Sequence, residues 1–261
     1  MNEAASITLG CTAAAAAGLV GAFALMKRTV LAGDVMAHIA LPGLGLAALW
    51  RINPLAGGAL TLFVGIVLIW RLGATTELST EASIGVLFAA SVALGALLFH
   101  SSEDLVDGLF GGFGHLTLPV FASGMAASLV VVAALWRLRH RLILSLFSPE
   151  LASASGVDVA RTDLWFLLLF GLAILSSLRF LGALLVGALI IVPPSAARQL
   201  TRSLGAFLTL SAVLAVAAMV AGMAVSARYR LSLGPIVVLA AAALFVACLL
   251  AGRTLGERRA F

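Results

Sequence analysis

The sequence predicts an all-α, polytopic membrane protein, and three observations predict it. Apolar residues fill 62% of its 261 positions and charged residues only 10%, against roughly 25% charged in an average soluble domain. The charges are also segregated, leaving charge-free runs at 4–26, 35–50, 52–70, 82–99, 116–136, 164–178, 180–197, 203–227 and 231–252. Most of these approach the ~17–25 residues a helix needs to cross a bilayer, and none shows the alternation over about 10 residues of a barrel strand. Finally, the basic residues divide by side. With nine spans and the N-terminus outside, Lys27, Arg28, Arg71, Arg137, Arg139, Arg141, Arg161, Arg198, Arg202, Arg253, Arg258 and Arg259 face inward. Only Arg51, Arg179, Arg228 and Arg230 face outward, a twelve-to-four split that fits the positive-inside rule. The expectation is about eight to nine transmembrane helices in one domain, residues 1–261.

Each element follows from its own residues. Run 4–26 has no basic residue before it and Lys27-Arg28 after it, the order of a retained span and not of a cleaved secretion signal. Run 35–50 is short and interrupted at Pro42-Gly43, where proline removes a helix hydrogen bond. Runs 52–70 and 82–99 are plain spans. The polar stretch His100–His115 carries Gly108, Gly111, Gly112 and Gly114; His100 and His115 either meet metal at an outer entrance or are solvated. Trp50, Trp70, Trp136, Trp165 and Tyr229 sit at the ends of runs, where amphipathic rings prefer the headgroup region. Cys11 and Cys248 lie inside the first and last runs without any Cys-x-x-Cys pairing and read as packing residues.

Residues 137–163 form the most structured polar segment, a cytoplasmic loop by its arginines. Within it Ser148–Gly156 reads as a short capped helix. Ser148 is an N-cap, Pro149 sits at the first helical position, and Glu150 suits the positive end of the dipole. Leu151 follows, and Gly156 is placed to close the helix. Such an element is either a docking site on the cytoplasmic face or an ordinary connector. In run 180–197, Gly182, Gly187 and the neighbouring alanines permit close helix packing. Pro193-Pro194 is expected to break that helix and free carbonyls that need a protein or water partner.

The most informative residues are Asp34 and His38. They stand four apart in Gly33–Gly43, a spacing that stacks side chains on one helix face. A carboxylate among apolar residues is costly unless it faces a cavity, a partner or an ion. The pair either holds a divalent metal between them or forms a hydrogen bond that steadies the helix. Interrupted spans mark the substrate path of membrane transporters, and two such spans favour transport. Other functions are excluded: there is no soluble basic domain for nucleic acid, and no Gly-x-x-x-x-Gly-Lys-Ser/Thr phosphate loop. Any ATPase must be a separate chain.

These motifs, in order, resemble the membrane permease of the zinc/manganese/iron ABC importers, the ABC-3 group. The pieces are Gly33–Gly43, Glu81–Gly85 with Ala93-Leu94-Gly95, Asp107–Gly111, and Ser148–Gly156 followed by Gly182–Ala197. One departure is Pro193-Pro194, where the family usually has a single proline before small residues. The resemblance implies a type-II-like permease in the bacterial cytoplasmic (inner) membrane, working as a homodimer. It also implies two cytoplasmic ATP-binding cassette subunits and an extracytoplasmic metal-binding protein. The transported zinc, manganese or iron ion would be cargo, with no permanently bound cofactor. Asp34 and His38 would line the ion route, Pro42, Gly43, Pro193 and Pro194 would mark helix breaks along it, and Ser148–Gly156 would dock on the ATPase. Two transport alternatives remain: a secondary, proton-coupled metal transporter, and a permease for a metal chelate. A non-transporting membrane scaffold is the third, for which broken spans would be a needless cost.

Overall fold

A computed structural model of the protein describes residues 3–29, 31–76, 80–98 and 117–257. Among these the regular structure is wholly helical. The helices are α1 (Glu3–Met26), α2 (Leu31–Ile39), α3 (Leu41–Trp50), α4 (Pro54–Thr75), α5 (Thr80–Leu98), α6 (Leu118–Phe147), α7 (Pro149–Ala154), α8 (Val159–Leu200), α9 (Leu204–Tyr229) and α10 (Leu233–Glu257). Six stretches are long and apolar enough to cross a membrane, and Val35–Trp50, Ala82–Leu98 and Val186–Leu200 are shorter apolar helices. Full-span length is thus reached by six among the described residues, against the eight to nine expected. The loop bearing His100 and His115 lies outside the described residues.

Local sequence sets the helix ends. Asn53, Asp158 and Ser203 each accept a backbone N–H of the helix that follows, from Leu55, Arg161 and Ala206, a cap worth about 1 kcal/mol. At the opposite ends, Arg28, Arg51 and Arg230 take left-handed conformations with φ of 60°, 54° and 54°. After each of them the next N–H reaches back five residues: Thr29 to Ala24, Ile52 to Ala47 and Leu231 to Ser226. Glycine is the usual residue there. Arginine carries a steric cost of roughly 1–2 kcal/mol, and its charge suits both the negative helix end and the membrane boundary.

The bundle is organised around α1. The central window of this helix is 72% buried, whereas the windows of α6 and α10 are only 17% and 22% buried. Its inward residues are small: Ala13, Ala14, Ala16, Ala17, Ala22 and Ala24 are all fully buried. Lipid is as apolar as leucine, so helix association there depends on close van der Waals fit, which small residues allow. Helices α8 and α9 pack along α1. Trp50, Trp136, Trp165 and Tyr229 remain exposed on the outside.

Helix α8 corrects one expectation. Pro193 and Pro194 lie inside helical backbone that continues to Leu200, and the break falls at Gly182, with φ 69° and ψ 172°. The break is a reversal. A side chain at position 33 would lie 3.0 Å from Phe170 Cζ and 3.2 Å from Ile190 Cγ2. Twenty helical residues would separate those two by about 30 Å in a straight helix, so arms 159–181 and 183–200 run side by side. That backbone region is essentially reserved for glycine. At Pro194 a neighbouring helix sits against the carbonyl that the proline leaves unpaired. Pro194 has no N–H for the Ile190 carbonyl, and that carbonyl instead lies against Gly21 of α1, so closely that no Cβ would fit. So close an approach of a glycine backbone leaves that carbonyl within reach of a Cα–H group, a weak substitute for the lost bond.

Candidate ion route and coupling elements

Asp34 and His38 both lie on α2, one turn apart. This helix stops at Ile39, and α3 begins at Leu41 with Pro42 in its first turn. Pro42 has no N–H to donate toward residue 38, which a continuous helix would require. Unlike α8, the chain does not double back here. His38 stacks edge-on against Phe88 of α5, with ring centroids 5.4 Å apart. Further along, positions 95 and 41 meet, then positions 98 and 45. Helix α5 therefore runs parallel to α2 and α3 together, which form one discontinuous span. The second half of that span, α3, crosses α4 with Gly43 and Gly57 in backbone contact, and Thr61 donates toward the Ala40 carbonyl at the junction, at 3.4 Å.

The His38 ring is half-buried, between α2 and α5. Two other polar groups, invisible to sequence reasoning, share this region. Among the buried hydroxyls, those of Ser128, Ser145, Ser176 and Ser211 donate to carbonyls three or four residues earlier. The hydroxyls of Ser83 and Ser177 are fully buried and have no hydrogen-bond partner. Ser83 precedes Phe88 by five residues, about 7.5 Å along α5, which places it level with Gly33 and Asp34. Ser177 follows Phe170 by seven residues on the arm that runs beside α2, level with the end of α2. A buried hydroxyl without a partner costs roughly 1–3 kcal/mol. Nothing local in the sequence singles these serines out, since serine in a membrane helix usually bonds its own backbone.

The capped helix is present as its residues foretold. Helix α7 starts at Pro149, the Ser148 hydroxyl accepts the Leu151 N–H at 3.4 Å, and Glu150 is in the first turn. Gly156 closes it at φ 78°, with the Val157 N–H returning to the Ala152 carbonyl at 2.9 Å. Ala152 is buried, while Leu151 and Phe147 are 60% and 74% exposed. Both present large apolar surface within the polar 137–163 segment.

Below α7 lies a cavity of about 400 Å³, lined in part by Lys27, Trp70, Pro149, Asp163, Phe166 and Phe170. Lys27, at the end of α1, forms an ion pair with Asp163 in the first turns of α8. Its ammonium also stands 5.0 Å from the centroid of the Phe166 ring. The Trp70 indole N–H donates to the Ala160 carbonyl at 3.1 Å. Lys27 reads in sequence as a topology signal and Asp163 as a loop residue; their pairing across 136 residues has no local signature.

The model of the ABC 3 transport family matches residues 2–252. A high-affinity zinc uptake system membrane protein, ZnuB, from Haemophilus influenzae is 28% identical over 235 residues, covering 87% of this chain and 88% of that protein. A manganese transport system membrane protein, MntC, from Halalkalibacterium halodurans is 29% identical, covering 87% of this chain and 80% of that one. Among solved structures, PsaBC from Streptococcus pneumoniae in complex with Fab superposes with a TM-score of 0.80 at 24% identity. That match covers 93% of this chain and 88% of the other, so the helical arrangement described above is shared nearly end to end. The polytopic helical architecture, the discontinuous second span and the family match over almost the whole length agree: the chain belongs to the ABC 3 transport family.

Proposed function

We propose that this chain is the membrane permease of an ATP-driven importer for a divalent transition metal, in a bacterial inner membrane. The observation that carries the reading is the discontinuous α2–α3 span that bears Asp34 and His38, with His38 against Phe88 of α5 and Gly33 against both arms of α8. A carboxylate, an imidazole and neutral hydroxyls suit zinc, manganese and iron alike. The named relatives carry zinc and manganese. The three shorter apolar helices extend the six long ones toward the eight to nine spans expected of such a permease. Membership of an ABC transport family disfavours a proton-coupled carrier. The experiment is metal accumulation in cells with and without the gene. Cells lacking it should lose uptake of zinc, manganese or iron, and unchanged content of all three overturns the reading.

The same reading includes a dimer. Among the described residues no group of three or more His, Cys, Asp or Glu side chains gathers, while a closed zinc site takes four ligands. Two copies related by a two-fold axis supply two Asp34–His38 pairs, and such symmetry is the commonest in oligomers. A His38→Cys variant in membranes should cross-link to its symmetry mate. A functional monomer, or position 38 facing lipid, contradicts this arrangement.

Helix α7 is the docking element for a separate ATPase in this reading, supported by its two caps and by exposed Leu151 and Phe147. The extracytoplasmic metal-binding protein would deliver the ion to the opposite face. Glu150→Lys opposes the helix dipole. Gly156→Val meets no steric obstacle, yet strains a left-handed position by about 1 kcal/mol or more. Both variants should bind the ATPase more weakly or hydrolyse ATP without transport. Wild-type coupling in both makes this segment a plain connector.

A further inference from the structure

We propose that the Lys27–Asp163 ion pair is the transmission contact between the docking helix and the ion-bearing helix, which makes Lys27 and Asp163 positioning residues for transport. The inference rests on the docking and ion-route readings above and adds the mechanical link between them. Displacement of α7 reaches the first turns of α8 directly, because residues 155–158 join them and Asp158 fixes the α8 start. The Asp158 carboxylate caps the Arg161 N–H at 3.0 Å and pairs with its guanidinium at 3.0 Å. One turn later Asp163 grips Lys27. From Lys27 the chain enters α2 within four residues, at Leu31, and Asp34 follows in the first turn of that helix.

A second line of contact runs in parallel. The Lys27 ammonium rests on Phe166, and Phe166 packs on Phe170 at a centroid separation of 5.6 Å. Phe170 is fully buried, and its ring edge closes on Gly33, where an added Cβ would find Phe170 Cζ at 3.0 Å. Gly33 is the immediate neighbour of Asp34. Both lines begin at the foot of α8 and end at the foot of α2, one through charge and the other through aromatic packing.

The cavity explains why this link can move. Packed protein interiors resist sliding because any displacement overpacks a neighbour. Here the Lys27–Asp163 pair and the Phe166–Phe170 stack border about 400 Å³ of unfilled space that reaches Pro149 of the docking helix. The foot of α8 can therefore shift toward the cavity without collision. A charge pair suits such a joint, since it holds registry over a range of distances and tolerates partial exposure. The Lys27 side chain is 16% exposed and that of Asp163 is 45% exposed.

The experiment uses the permease assembled with its ATPase and metal-binding subunits in proteoliposomes, and reads metal moved per ATP hydrolysed. Lys27→Met and Asp163→Asn should each assemble and hydrolyse ATP, yet move about tenfold less metal per ATP, a change typical of lost coupling between two sites. Lys27→Arg should stay near wild type, and the charge-swapped double variant Lys27→Asp/Asp163→Lys should recover most of the loss. A purely structural pair would lower hydrolysis and uptake together at a constant ratio. That result, or a swapped variant no better than the single ones, overturns the proposal. Failure of the underlying readings shows elsewhere in the same assay. Normal transport by Asp34→Asn removes the ion route, and wild-type coupling in Glu150→Lys and Gly156→Val removes the docking site.

Discussion

Asp34→Asn should abolish metal uptake while leaving the assembled transporter in the membrane. The substitution keeps the size of the side chain and removes only its charge. His38→Ala should have the same outcome by another route, since it deletes an imidazole stacked on Phe88. Changes one shell away from a metal already cost about 10–100-fold in affinity or activity, so loss of either proposed ligand should reduce uptake to background. Radiometal uptake by cells with matched permease levels is the measurement. Normal uptake by both variants would dismiss these residues from the route and leave them as a helix-steadying pair.

A second large effect is expected at Gly182. Valine there must adopt φ 69° and ψ 172°, a region essentially closed to side-chain-bearing residues, at a cost of about 1–3 kcal/mol or a local rearrangement. The reversal at Gly182 brings Phe170 and Ile190 together on Gly33, so opening it disrupts both arms of α8 and the seat of α2. Gly182→Val should therefore give little folded permease, seen as low membrane yield and a lowered melting temperature in detergent. Pro193→Ala and Pro194→Ala should be mild, because each restores an N–H to a helix that already persists through the prolines. A proline variant more damaging than Gly182→Val would return the structural break to the proline pair.

The contrast between Gly182 and Pro193-Pro194 shows where sequence reasoning succeeds and where it stops. Burial in lipid has a direct signature in composition, so all nine charge-free runs correspond to helical segments, six of them full length. Capping is local chemistry, so Ser148, Pro149 and Gly156 delimit α7 within a residue or two. Proline carries an equally local prohibition, but a membrane helix can satisfy the orphaned Ile190 carbonyl from a distant helix. That satisfaction depends on Gly21, which no neighbour of Pro194 in sequence reveals. Glycine is ambiguous in the opposite sense: its letter does not distinguish a packing surface from a positive φ, and Gly182 proved to be a turn. The Asp34–His38 spacing was legible because helical periodicity joins residues four apart. Lys27–Asp163, Ser83 and Ser177 were not, because their significance lies in what faces them across the bundle.

The three left-handed arginines constrain the kinds of motion open to this fold. Arg28, Arg51 and Arg230 terminate α1, α3 and α9, each an exposed cation fixed rigidly to the helix end by backbone geometry instead of hanging from a flexible tail. An arginine drawn to the bilayer centre costs roughly 2.5–3.5 kcal/mol even on the mildest scales, so these ends act as float lines at the water boundary. Axial sliding, in which a helix works like a piston, would drag a float under. Tilting and rotation leave it at the surface. The geometry of these three ends favours tilting and rotation of α1, α3 and α9 over deep axial sliding.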